Sequence, residues 1–180
     1  MDIVGSLDET FHHAHKVIGG VSADQYVDST PCQEWTVRDL LEHMISVVAG
    51  IGAAAAGSPR EPFELAPDPA GQFDAAATVA LAAWRAPGVL DRVIDAGPGP
   101  MAGRILAGIN LLDTATHTWD LATATGQPAA LPDDVAIAAL EASMATIRPE
   151  IRKGRFGPEV AVADDADPTD RLVAFLGRTP

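Results

Sequence analysis

The chain has 180 residues, of which 47% are hydrophobic and 5% aromatic, and its 25 acidic and 12 basic side chains give a net charge of −13. A surface this acidic repels phosphate backbones and anionic lipid headgroups, so neither nucleic acid nor a membrane is expected as a partner. The single cysteine excludes an intrachain disulfide, and the N-terminal residues lack a basic, apolar leader. Both features predict a cytoplasmic protein.

The first half of the chain predicts three helices. Apolar residues at helical spacing over 2–20 predict the first, because they form one stripe along a helix. A second helix opens at Thr36, with Asp39 placed to complete a capping box, and it fades at Gly57. Residues 58–70 hold four prolines and predict a loop. The third helix is predicted over about 70–86.

The second half predicts the longest helix and several shorter elements. Residues 89–94 are mixed in character and predict a small strand, followed by a turn-rich segment. The longest helix is predicted over about 101–124, with a glycine stop just after it. A fifth helix is predicted over about 132–147. The tail carries a predicted strand over 160–162 and a closing helix over 168–176.

These elements predict the fold class and the domain organisation. Four long amphipathic helices joined by loops indicate an all-α four-helix bundle, with extra short helices and at most a minor strand pair. The proline-rich connections predict at least one crossover in place of a tight hairpin. Residues 1–180 are expected to form one domain, since the chain shows neither an internal repeat nor a linker.

The longest helix carries a carboxylate and an imidazole on one face. Asp113 and His117 are four residues apart, so their side chains lie one above the other on the helix. Such a pair within a mainly apolar stripe needs a partner, because burying polar groups unpaired costs several kcal/mol. One interpretation is a hydrogen-bonded Asp–His pair that lines a polar seam.

His43, on the second helix, adds a third candidate metal ligand. A histidine beside an apolar face is commonly a satisfied core residue. However, one histidine from one helix and an Asp/His pair from another can form a metal site between facing helices. Two histidines and a carboxylate leave open coordination positions, which suits Zn²⁺ and also Fe²⁺ or Ni²⁺. The alternative is a buried polar network, without metal, that holds the helices in register.

Cys32 is the single thiol and precedes the second helix. Its place before a helix N-terminus allows the helix dipole to lower its pKa. The alternative is a small buried anchor under Trp35.

Four stretches of the sequence resemble a known family. They are TPCQEWTVRDLLEH over 30–43, DTATHTWDLA over 113–122, FGPEV over 156–160 and LVAFLGR over 172–178. The chain resembles actinobacterial metal-binding proteins related to the N-terminal domain of mycothiol-dependent maleylpyruvate isomerase, in the DinB-like superfamily. The resemblance implies a DinB-like four-helix bundle with a divalent metal, Zn²⁺ first, held by His43, Asp113 and His117. The carboxylate is Asp where the isomerase has Glu, and the isomerase carries a further domain after its bundle that this sequence lacks.

The resemblance also implies an activity and its partners. Related proteins use the metal to activate a low-molecular-weight thiol, so a thiol (mycothiol-type) transferase or isomerase-like enzyme acting on a small electrophile is the first hypothesis. Asp120, one turn beyond His117, is the candidate for orienting a ligand or a water, or is an ordinary exposed helix acid. A non-catalytic metal or small-ligand binding module is the alternative function. The resemblance allows a homodimer through the faces of the bundle.

Overall fold

The structure is a computed structural model that describes residues 2–32, 34–97, 99–153 and 156–180. Positions 33 and 98, in the expected connection and turn, lie outside the described residues. The described residues form seven α-helices and one antiparallel strand pair, so the expected mostly helical fold is confirmed. In chain order the elements are α1 (Ile3–Gly19), α2 (Val37–Ala56), α3 (Pro69–Trp84), β1 (Val93–Asp95), β2 (Pro100–Ala102), α4 (Gly103–Ala124), α5 (Asp133–Thr146), α6 (Pro149–Arg152) and α7 (Pro168–Phe175), with 3-10 turns at Ala23–Val27 and Val89–Asp91.

Helices α1 to α4 form the bundle, and consecutive helices are not always neighbours. Helix α1 packs against α3 and α4, and α2 packs against the same two helices. Helices α1 and α2 therefore lie diagonally, as do α3 and α4, and the connections that join them cross an end of the bundle. The expected crossover is present, although the proline-rich loop after α2 joins the neighbouring helices α2 and α3. Helix α5 packs on the outer side of α4, and α7 packs on α5.

Helix α2 supplies much of the hydrophobic core. By length and composition it is the one helix among those described that could cross a membrane. Its apolar face is instead covered by the rest of the protein, with Leu40, Leu41 and Ile45 fully buried. The α2–α3 contact is close, because a methyl group built on Gly52 would lie 2.8 Å from the Cβ of Ala80. The small residues at this crossing bring the two backbones together.

The start of α4 departs from the sequence-based expectation. The longest helix was expected from position 101, but Met101 lies in β2 and pairs with Ile94 of β1. The helix begins at Gly103, where any Cβ would lie against the carbonyl oxygen of Val89. The expected strand over 89–94 is half right, since a 3-10 turn occupies its first part and β1 its end.

The predicted strand over 160–162 is wrong. Val160 makes one backbone hydrogen bond, donated to the carbonyl oxygen of Ala174, and the segment has no strand partner among the described residues. Helix α5 buries a face of small side chains. It packs through small residues such as Ala136 and Ala139, while the larger Met144 is 64% exposed. The short side chains let α5 approach α4 closely.

Candidate metal site

The N-terminus of α2 fixes the position of His43. The hydroxyl of Thr36 accepts from the Asp39 backbone N–H at 3.3 Å, and the Asp39 carboxylate accepts from the Thr36 backbone N–H at 2.9 Å. This capping box anchors the first turn, two turns before His43. The imidazole of His43 therefore projects from a rigid helix toward α4, with 27% of its side chain exposed.

The structure brings His43, Asp113 and His117 together. The Nε2 of His43 lies 3.0 Å from Oδ1 of Asp113, and the Nε2 of His117 lies 3.7 Å from the same oxygen. The two imidazole rings are 4.8 Å apart and nearly perpendicular. One ligand atom from each of the three residues lies within 4.8 Å of the other two. Three donor atoms from two helices thus converge on one point.

The second oxygen of Asp113 has no protein partner. Its Oδ2 is buried and makes no hydrogen bond to any described residue. An ionised carboxylate oxygen without a donor is costly in such a place. The burial of Asp113 acts to raise its pKa, but nearby His117 and the hydrogen bond to His43 outweigh this, and the pKa lies below its ordinary value. Asp113 is therefore held as a carboxylate with lone pairs to offer.

Asp120 contacts the Nδ1 side of His117, away from the other two candidate ligands, and Arg178 in turn contacts Asp120. Asp120 is fully buried, and its Oδ2 accepts from Nδ1 of His117 at 2.9 Å. Arg178 donates to both oxygens of the same carboxylate, at 3.1 Å from Nε and 2.7 Å from Nη2. Because Nδ1 of His117 carries the proton that is donated to Asp120, the other ring nitrogen, Nε2, has a free lone pair. This lone pair faces Asp113 and His43. The interpretation of Asp120 as an exposed helix acid is wrong.

This buried pair ties the C-terminal segment to α4. Burial acts to raise the pKa of Asp120, but hydrogen bonds from His117 and Arg178 outweigh it, so the pKa lies below its ordinary value. Burial acts to lower the pKa of Arg178, and the Asp120 carboxylate more than reverses that effect. Arg178 also donates from Nη1 to the carbonyl oxygen of Leu176. Both groups are therefore charged, and each stabilises the charged form of the other.

Trp35 covers the two imidazoles. Its ring lies 4.6 Å from the ring of His43 and 5.7 Å from that of His117. The backbone of Glu34, just before it, adopts a left-handed conformation with φ of 71°. Such a conformation is uncommon for a residue with a side chain, and it turns the chain so that Trp35 faces the site.

A cavity of about 410 Å³ opens beside these residues. It lies between α4, the end of α5 and the segment that follows. Its lining residues are Cys32, Trp35, His43, Ile109, Leu112, Asp113, Thr116, His117, Thr146, Ile147, Ile151, Phe156 and Arg178. A metal held by His43, Asp113 and His117 would face this space with its remaining coordination positions.

Cys32 lies at the wall of the cavity with a thiol that resists ionisation. Burial raises the pKa of the thiol, and the carboxylates of Asp120 and Asp113 raise it further, while Arg178 opposes them. The expectation that a helix dipole lowers this pKa is wrong, because the buried surroundings and negative charges dominate. Cys32, His117 and Asp120 also lie within ligand distance of one another. Arg178 already occupies Asp120 there, so a cation is disfavoured between these three.

The sequence alone assigned no role to Arg178. It ends one of the family-like stretches, LVAFLGR over 172–178, but nothing local connects it with the metal ligands. Its role depends on α7 bringing the chain end back to α4, which only long-range packing determines.

Comparison with known proteins identifies related sequences. A family model described as the mycothiol maleylpyruvate isomerase N-terminal domain matches residues 11–122. Two proteins of Mycobacterium tuberculosis are each 38% identical over 165 residues, which cover 91% of this chain and 90% of theirs. They are the uncharacterized protein MT0763 of strain CDC 1551 and the uncharacterized protein Rv0738 of strain H37Rv. No solved structure matches the chain significantly.

Proposed function

This chain belongs to the mycothiol maleylpyruvate isomerase N-terminal domain family, and from that premise we propose that it binds one divalent metal ion through His43, Asp113 and His117. We further propose that it uses the ion to activate a low-molecular-weight thiol toward a small electrophile. The observation that carries the proposal is the convergence of three donor atoms within 4.8 Å beside an open cavity.

The residues present fit a metal ion in three respects. The Oδ2 of Asp113 is buried without a partner among the described residues, which a cation would correct. Asp120 fixes the tautomer of His117, as carboxylates commonly do for metal-ligating histidines. Two imidazoles and one carboxylate form a donor set that suits Zn²⁺ first, with Ni²⁺ and Fe²⁺ as alternatives.

The chain's own residues have distinct roles in this proposal. A divalent ion, when bound, supplies the Lewis acidity that lowers the pKa of a thiol placed beside it. Asp120 holds the proton on Nδ1 of His117, so that the opposite nitrogen is free to bind. Trp35 limits the access of water to both imidazoles from one side. The cavity leaves room for the thiol and the electrophile to meet.

The first experiment measures metal content by mass spectrometry on protein purified without an affinity tag. We expect near one equivalent in the wild type and almost none in His117→Ala, because two remaining ligands bind too weakly. His12→Ala is the matched control, since this exposed histidine on α1 is remote from the site. Absence of metal in the wild type, even after reconstitution, would leave the three residues as a polar network between helices.

The second experiment tests catalysis. Metal-loaded wild-type protein is mixed with a panel of thiols that includes mycothiol and with a chromogenic electrophile, and the conjugation rate is compared with that of the His117→Ala protein. We expect acceleration for at least one thiol with the wild type alone. A metal-loaded protein that accelerates none of them would contradict the enzymatic part of the proposal.

A non-catalytic metal or small-ligand binding module is the second candidate. It is favoured by the state of the two groups nearest the metal ligands. The Asp120 carboxylate is committed to His117 and Arg178, and the Cys32 thiol has a raised pKa. Neither is poised to take a proton from a substrate. Tight metal binding without any catalysis would support this reading.

A further inference from the structure

One wall of the cavity is apolar. It is formed by Ile147 at the end of α5, by Ile151 in α6 and by Phe156 just beyond it. Ile109 and Leu112 of α4 complete this side. Ile151 is 41% exposed, which core packing does not require of a large apolar side chain. An exposed apolar residue at the rim of a cavity is typical of a surface that contacts a ligand.

Most polar groups at the cavity already have partners within the protein. The guanidinium of Arg178 is paired through two hydrogen bonds with Asp120. Asp113 is engaged by His43 and faces the proposed metal position. The hydroxyl of Thr116 donates to the carbonyl oxygen of Leu112 within its own helix. An anionic or heavily hydroxylated ligand that entered the cavity would therefore lose its hydrogen bonds to water and gain few from the protein.

We infer that the molecule whose body fills this cavity is uncharged and apolar, an aryl or alkyl compound, and that Ile147, Ile151 and Phe156 select it. The inference rests on the proposed function for the position of the reacting end, which would lie at the metal ligands. Contact between the apolar wall and the ligand body does not itself require the metal. A polar thiol such as mycothiol would then keep its sugar portion outside the cavity, at the mouth.

Three residues of the wall, Ile147, Ile151 and Phe156, lie outside the part of the chain that the family model matches. The metal ligands fall within residues 11–122, whereas the three wall residues all follow that range. Metal chemistry and ligand choice are thus carried by separate segments of the chain. The wall segment is anchored by Arg152, whose Nη1 donates to the carbonyl oxygen of Gly157 and whose guanidinium lies 4.8 Å from the ring of Phe175.

The test compares two probes of similar shape and different charge, para-fluorotoluene and para-fluorobenzoate, by fluorine NMR. Each is titrated into metal-loaded wild-type protein and into wild-type protein stripped with a chelator. In the stripped protein, where the carboxylate has no metal to bind, we expect fluorotoluene to bind at least about tenfold more tightly than fluorobenzoate. Tighter binding of fluorobenzoate in the stripped protein would overturn the inference.

Two variants assign the binding to the wall. We expect Ile151→Asn to weaken fluorotoluene binding about tenfold or more, because even a methylene-sized change in an apolar pocket alters binding by at least that factor. Met144→Asn is the matched control, since this exposed apolar residue of α5 does not line the cavity, and it should leave binding unchanged. Equal binding by wild type and Ile151→Asn would overturn the role of this residue.

The same titrations separate this inference from the proposed function. If the protein binds fluorotoluene but never takes up metal, the metal proposal is wrong and the inference of an apolar ligand is supported. Stoichiometric metal together with no binding of fluorotoluene would overturn the inference and leave the metal proposal standing.

Discussion

Replacing Arg178 with Met is the sharpest test of how the site is held together. The substitution keeps most of the side-chain volume and removes the guanidinium that donates to both oxygens of Asp120. Asp120 is fully buried and would keep His117 as its one side-chain donor. The variant therefore carries an ionised carboxylate without its cation inside the protein.

The size of the effect follows from burial. The side chain of Arg178 is 11% exposed and that of Asp120 is 0% exposed, so solvent screens their interaction little. Removing one partner of a buried ion pair costs about 3–5 kcal/mol, because the remaining charge is left uncompensated. Whole domains are stable by only about 5–15 kcal/mol. We therefore expect a large loss in the free energy of unfolding, measured by urea denaturation at neutral pH.

The effect of Arg178→Met should also depend on pH. The pKa of Asp120 is lowered in the folded wild type from its ordinary value of 3.8. Its ion pair therefore stabilises the fold at pH values above 3.8 and loses this contribution as the pH falls through the lower folded pKa. Protonated Asp120 does not need the guanidinium. The difference between wild type and variant should thus be largest near neutral pH and should narrow in acid.

Arg85→Met is the matched control. Arg85 and Asp8 form an ion pair at 2.6 Å, but their side chains are 56% and 52% exposed. Exposed pairs contribute about 0–1 kcal/mol, so this variant should lose little stability. If Arg178→Met cost no more than Arg85→Met, the buried pair would not be what holds His117 in place.

Three further predictions concern packing, capping and reactivity. Gly52→Ala should lower the free energy of unfolding, measured by thermal unfolding, by about 1–3 kcal/mol, because its methyl group would clash with Ala80. A methyl group at position 108 would have its nearest neighbour at 3.5 Å, so Gly108→Ala should be neutral or stabilising by up to about 1 kcal/mol. Equal losses for the two would refute the close α2–α3 crossing. Thr36→Ala should cost about 1 kcal/mol in urea denaturation by removing the helix cap, and no loss would contradict the capping box. Iodoacetamide should alkylate Cys32 slowly at neutral pH, and the rate should still be rising at pH 9.0, because the raised pKa keeps most of the thiol protonated there; fast labelling at pH 7 would show that its pKa is not raised.

Local sequence was sufficient for most of the helices. The capping box at Thr36 predicted the start of α2, and the observed N-cap is that residue. The end of α2 was also predicted, because Gly57 adopts the left-handed conformation that closes a helix. These boundaries depend on residues within one turn of each other, which is why the sequence reveals them.

Local sequence failed where distant segments compete for the same residues. Met101 has helical neighbours, yet it joins a strand because β1 is available to pair with it. The segment over 160–162 has strand-like residues, yet no described strand lies beside it. In both cases the outcome depends on which partner the fold brings near, and a single sequence does not contain that information.

The sequence by itself determined the helical class, both ends of α2 and the candidate ligands His43, Asp113 and His117, because helical spacing, capping and family motifs are local patterns. Only the tertiary structure decided which groups surround them. It brought Arg178 from the chain end to Asp120, raised the pKa of Cys32 and placed Ile151 at the rim of the cavity. Those outcomes depend on burial and on charges from segments far apart in sequence. The local pattern around each residue carries no signal of them.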